Sequence, residues 1–166
     1  MKKMLTVFLF LVFTGLAFSF NIANAAKPVI TSDKQYFDVS RGLYFLTGNV
    51  YVATSNRVIT ADEATVDPTG LQVWAKGHIT LKQDDITFTG DVLHVVGSKT
   101  LAKVTGNLYF ARSNFAISSN YGEYNWKTKI ASFKDDVIVK NANGEEERFQ
   151  SLKYNVVDDE IVESEK

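Results

Sequence analysis

Two histidines and three pairs of adjacent aspartates are among the residues of this sequence that could move protons or hold a metal. His78 and His94 stand 16 positions apart, outside any metal-ligand spacing, and no Gly-x-Ser-x-Gly elbow is present to activate a serine. His94 lies between Leu93 and Val95 and reads as an ordinary strand residue; His78 follows a glycine and reads as a turn or bulge residue. Asp84-Asp85, Asp135-Asp136 and Asp158-Asp159 could in principle act as the paired carboxylates of a glycosidase. Each pair falls at an expected strand end, however, where solvated turns collect acids. The absence of cysteine removes disulfides, thiolate ligands and thiol nucleophiles. The reading is a non-enzymatic protein with no catalytic residue, no metal and no cofactor.

A more regular set of polar residues is Asp33, Asp62, Asp91 and Asn120, which recur every 29 positions. One residue per 29 cannot converge on a single cation, so a turn-forming or strand-bending role is expected. The residue before each is always small: Ser32, Ala61, Gly90 and Ser119, with Ser151 in the last unit. Such a position suits a tight corner or a close approach of two sheets.

These ladders belong to an internal repeat. The cores Gly48-Asn49-Val50, Gly77-His78-Ile79, Gly106-Asn107-Leu108 and Asp135-Asp136-Val137 share the same 29-residue step. The strand starts Ile30-Thr31, Ile59-Thr60, Phe88-Thr89 and Ile117-Ser118 keep the same step, and a fifth start, Phe149-Gln150, comes 32 residues after Ile117, behind the acidic loop Asn141 to Arg148. Each unit reads as two strands and a turn, as in Ile59 to Val66 followed by Leu71 to Lys82. Apolar and tolerant residues alternate with a period of two, which marks half-buried strands. The expected fold is all-β, built of stacked hairpins that bury a shared core. The last unit is incomplete, ends in the charged tail Glu163 to Lys166, and should leave an unpaired edge.

Residues 1–25 read as a signal peptide: Lys2 and Lys3, an apolar run from Leu5 to Phe20, then Ala23-Asn24-Ala25 as a cleavage site. Residues 26–166 form one expected domain in an exported, periplasmic chain. Without the leader, 16 Lys and Arg face 19 Asp and Glu, a balance that speaks against a nucleic-acid partner. The many aromatics either fill a core or line a channel between two sheets that holds an apolar ligand.

The unit Ile59-Thr60-Ala61-Asp62-Glu63-Ala64-Thr65-Val66-Asp67, with Ala75-Lys76-Gly77-His78-Ile79-Thr80-Leu81 after its turn, resembles the OstA-like (LptA) family. The resemblance spans residues 28 to 162. Asp135 departs from its glycine, and Leu152 from its acid or Asn. What the resemblance implies is an open, V-shaped β-jellyroll whose apolar interior receives the acyl chains of lipopolysaccharide. Implied partners are lipopolysaccharide (lipid A), LptC-like and LptD-like proteins, and further copies joined head to tail as a bridge from inner to outer membrane. An LptC-like member keeping its leader as an anchor, a dry assembly module and an exported glycan-binding or glycan-cleaving protein are the alternatives. By repeat parity, Val50, Val52, Ile79, Leu81, Leu108, Phe110, Val137 and Val139 point inward, as do Leu46, Val104 and Phe133. On the first strands Phe37, Val66, Val95 and Tyr124 should face them. Together these fifteen form the expected groove lining.

Overall fold

The computed structural model describes residues 28–112 and 115–166; the leader expected over residues 1–25 lies outside them. Alternation of apolar and polar side chains produces eleven strands: β1 Val29–Thr31, β2 Lys34–Asp38, β3 Leu43–Thr54, β4 Arg57–Asp67, β5 Gln72–Gln83, β6 Ile86–Val96, β7 Leu101–Arg112, β8 Phe115–Asn125, β9 Ile130–Lys140, β10 Glu146–Asn155 and β11 Glu160–Glu165. A 3₁₀ turn, Gly97–Lys99, joins β6 to β7. Consecutive strands from β3 onward pair antiparallel in one sheet, and β1 and β2 both pair with β3 as two halves of a broken first strand. The sheet does not close: β1 and β2 stand at one end and β11 at the other.

Every long strand is bent at its middle, and the repeat explains how. The register slips between Thr47 and Val50, between Lys76 and Ile79, and between Thr105 and Leu108. At each slip a Gly-Asn or Gly-His pair takes two consecutive left-handed conformations, with φ of 75° and 45° at Gly48 and Asn49, 74° and 45° at Gly77 and His78, and 76° and 46° at Gly106 and Asn107. The ladder acids brace these bends. Asp33 accepts from Asn49 at 2.9 Å, Asp91 from Asn107 at 2.8 Å, and Asp62 meets His78 Nδ1 at 2.8 Å. The expected strand-bending role of these acids is the one they fill.

At the first three bends glycine relieves crowding as well as φ. A Cβ on Gly77 would sit 2.3 Å from Asp62 Oδ2. In the fourth unit the partners are exchanged, since Asn120 donates to Asp136 Oδ2 at 3.2 Å. Asp135 and Asp136 carry φ of 65° and 59° without a glycine. This corrects the placing of Asp135-Asp136 at a strand end: they lie in the middle of β9. Asp135→Gly should therefore stabilise the fold, by about 0.5 kcal/mol once the looser unfolded chain is counted. Gly77→Ala should destabilise it by about 1–2 kcal/mol through the left-handed backbone and the clash. Urea unfolding midpoints moving in opposite directions would check the pair.

The bends fold the sheet over on itself as two legs. One leg carries Val52, Ile59, Leu81, Phe88, Phe110, Ile117 and Val139 in register, and the other carries Val66, Val73, Val95, Ala102, Tyr124, Ala131 and Tyr154. Contacts across the interior prove the facing: the Phe88 ring lies 5.7 Å from Tyr124 and 6.3 Å from Phe133. The small repeat position matters where the legs meet, since a Cβ on Gly90 would lie 2.5 Å from Val104 Cγ1.

Two boundaries differ from the sequence reading. The polar loop is a turn over residues 141–145, and Glu146 to Arg148 already belong to β10. The charged tail is an edge strand, with Glu163 paired to Lys153 at 2.6 Å, because β10 offers a free row of backbone groups.

At the opposite end Asp38, only 8 % exposed, caps the first hairpin turn. It accepts from Ser40 Oγ at 2.6 Å, from the Ser40 and Arg41 amides, and from Arg41 Nε at 2.8 Å. The Ser40 hydroxyl, then the Arg41 amide, lower its pKa from 3.8 to about 2. Folding thus favours the carboxylate. Its stabilisation is present above the ordinary carboxylate range and is lost as pH falls through about 2. Between these values Asp38→Asn should show a shallower decline in thermal midpoint than the parent chain.

Candidate functional site

Between the legs, in the N-terminal half, lies an apolar trough of about 350 Å³. Ile30, Val52, Ile59 and Leu81 line one wall; Val66, Val73, Val95, Ala102 and Tyr124 line the other. The walls exist because period-two alternation sends these side chains to one face and the bends turn the faces toward each other. Burial pushes the Tyr124 phenol above its ordinary pKa, so the wall stays uncharged.

The rim is polar. Arg57 and Gln83 are direct partners across β4 and β5, and both belong to the cavity wall. The Arg57 guanidinium lies over the Trp126 ring, 4.6 Å from its centroid, and so spans the mouth from one leg to the other. Sequence reasoning passed over Arg57 and Gln83. The signal was available: Thr54, Gln83, Arg112 and Asn141 follow the 29-residue step, one inward position beyond Val52, Leu81, Phe110 and Val139.

Toward the C-terminal half the interior is filled. Phe110, fully buried, packs 4.9 Å from Phe88, 5.5 Å from Phe133 and 5.6 Å from Tyr154. Arg112 bolts the legs together there. Its guanidinium binds Asp85 at 2.6 Å on its own leg, and Tyr154 at 3.2 Å, the Val156 carbonyl and Asp159 at 3.5 Å on the other. Burial and the hydrogen bond to Asp159 push the Tyr154 phenol up to about 12.

The fifteen expected lining residues divide accordingly. Val52, Val66, Leu81, Val95 and Tyr124 line the trough. Leu46, Val50, Ile79, Val104, Leu108, Phe110, Phe133, Val137 and Val139 face inward but are buried in the packed core. Phe37 sits on the inner side by register, paired with Tyr44, yet is 42 % exposed because β2 has a neighbour on one side only.

The outer face is an ordinary solvated surface with ion pairs such as Lys76 to Glu63 and Lys103 to Glu123. His94 stacks on Trp74 at 5.1 Å and bonds Gln72 at 3.0 Å. A depression beside Tyr121, Lys134 and Glu163 includes the ion-paired Glu123, Lys153 and Glu163 in its lining. Among the described residues no set of three His, Asp or Glu is grouped to hold a metal, and no helix is long and apolar enough to cross a membrane.

No protein-family model and no curated protein matches the sequence. The fold does match solved structures. One is the crystal structure of LptH, the LptA-homologous periplasmic component of the lipopolysaccharide transport device of Pseudomonas aeruginosa. That match has a TM-score of 0.61 at 14 % identity and covers 65 % of this chain and 82 % of that one. The fold is therefore the open β-jellyroll of the LptA type.

Proposed function

We propose that this chain is a periplasmic, non-enzymatic carrier of the LptA kind, which shelters acyl chains of lipopolysaccharide in its trough on the way to the outer membrane. The observation that carries the reading is the apolar cavity left between two legs that elsewhere pack closely. Each methylene taken from water contributes about 0.8 kcal/mol, so one 12-carbon chain gains up to roughly 8–10 kcal/mol. That suffices to hold a lipid in water.

The two ends of the sheet support assembly. Among the described residues β2 leaves Tyr36 65 % exposed with no strand beyond it, and β11 is paired only through β10. Backbone groups on both edges are free to continue the sheet into another copy, or into LptC-like and LptD-like domains. A photo-crosslinking residue at Val95, inside the trough, should capture lipopolysaccharide, while one at the outward-facing Lys82 should not. Equal capture at both positions would sink the carrier reading.

A second reading, a dry assembly module, draws on the packed aromatic half around Phe110. Native mass spectrometry of the purified protein separates the two, because a dry module carries no acyl chains.

A further inference from the structure

We infer that one long edge of the molecule docks on an anionic lipid bilayer: the first four turns at the free end of the leg that carries Val66 and Val73. The inference goes beyond the carrier reading and does not depend on it, because it concerns the outside of the molecule.

Consecutive strands run antiparallel, so their turns alternate between two edges of the sheet. One edge receives residues 39–42, 68–71, 97–100, 126–129 and 156–159. The opposite edge receives, among the described residues, 55–56, 84–85 and 141–145. Neighbouring turns on one edge are two strands apart, about 10 Å.

The first ground is apolar exposure. Among the described residues the three most exposed Val, Leu and Ile side chains are Val39 at 83 %, Val157 at 64 % and Leu71 at 60 %. All three sit in turns of the first edge, and the described turns of the opposite edge hold none. Large side chains left in water at such turns mark a contact surface.

The second ground is backbone. Gly42, Leu71, Thr100 and Lys129 follow the 29-residue step and close four turns of this edge in the left-handed region, with φ of 68°, 54°, 54° and 63°. Gly42 shows that the turn needs no side chain there. Leucine and lysine hold the same slot at a cost in stability. Leu71 also borders the trough, whereas Lys129 does not.

The third ground is charge. Arg41, Lys99, Lys127 and Lys129 lie on the first four turns, while the described turns of the opposite edge hold Asp84, Asp85 and Glu145 and no cation. Lys99, Lys127 and Lys129 have no carboxylate partner among the described residues. The acids that precede the first two turns are engaged: Asp38 with Ser40 and Arg41, and Asp67 with the Thr69 and Gly70 amides. The fifth turn carries Asp158 and Asp159 and is left out of the surface. A basic edge on a chain of net charge −1 is complementary to a layer of phosphates.

A folded protein partner would need one continuous apolar patch. Val39 and Leu71 stand on separate turns, with cations beside and beyond them. A bilayer interface takes each apolar side chain separately and surrounds the cations with head groups.

The test is flotation of the protein as exported with vesicles of phosphatidylcholine, with and without about one third phosphatidylglycerol. Anionic vesicles should bind about tenfold more tightly than neutral ones, and about 0.5 M salt should remove the difference. Replacing Lys99, Lys127 and Lys129 together by Gln should weaken binding to anionic vesicles more than tenfold, since each contributes about fivefold. Val39→Ser should weaken it about threefold. The chain has no cysteine, so single sites can be labelled cleanly. A polarity-sensitive dye on Val39→Cys should shift to the blue on anionic vesicles, and one on Asn56→Cys, at the opposite edge, should not. Equal binding of neutral and anionic vesicles, binding that survives the triple substitution, a shift at both dyes or no vesicle binding would overturn the inference. Binding of dextran sulfate with no shift at Val39 on vesicles would also overturn it, in favour of a soluble polyanion. None of these outcomes alters what capture at Val95 says of the trough.

Discussion

Phe110→Ala should destabilise the protein by about 3–5 kcal/mol. The ring is fully buried, and its neighbours Phe88, Phe133 and Tyr154 come from three different strands on both legs. Sheet hydrogen bonds hold those strands, so the wall cannot collapse into the vacated space, and the cavity term adds to the lost transfer energy. Against a typical total of 5–15 kcal/mol this is a large fraction. Urea unfolding followed by tyrosine and tryptophan fluorescence measures it, and Phe110→Leu should recover more than half of the loss. A cost below about 1 kcal/mol would mean that the C-terminal interior is not tightly packed.

Arg112→Met should cost about 2–4 kcal/mol. Methionine keeps much of the apolar stem but removes the guanidinium that joins Asp85 to Tyr154, Asp159 and the Val156 carbonyl. Hydrogen bonds to charged groups are worth about 1.5–3 kcal/mol each, though the exposure of Asp85 and Asp159 to solvent discounts those two. The loss should be local. Hydrogen exchange should rise around Tyr154 to Asp159, where this residue grips the opposite leg, and stay unchanged in β4 and β5. Removing the bolt should also lengthen the trough toward Tyr154, so the variant should take up longer acyl chains than the parent if the carrier reading holds.

Much of this architecture was legible in the residues. The 29-residue step and the period-two alternation place the strands expected over Ile59 to Val66 and Leu71 to Lys82 within a residue or two of their observed limits. The inward face was equally legible, because a pleated strand allows only two choices. What parity could not supply was the distance between the legs. That distance depends on side-chain size across the interior. Where Phe88, Phe110 and Phe133 meet, the space is full; where Val52, Val66 and Val95 meet, it is not. Asp135-Asp136 misled for another reason. Adjacent acids usually mark a turn, but here the repeat slot, not composition, fixes the backbone. Arg57 and Gln83 were hidden by an assumption that lining must be apolar.

Each bend is braced by side chains 16 positions apart within one unit, as with Asp33 and Asn49 or Asp91 and Asn107. No brace reaches into a neighbouring unit. Fold-over and length are thereby uncoupled: each corner turns its own hairpin, and the tally of units fixes how long the sheet is. Loss or duplication of 29 codons would give a shorter or longer sheet with the same corners.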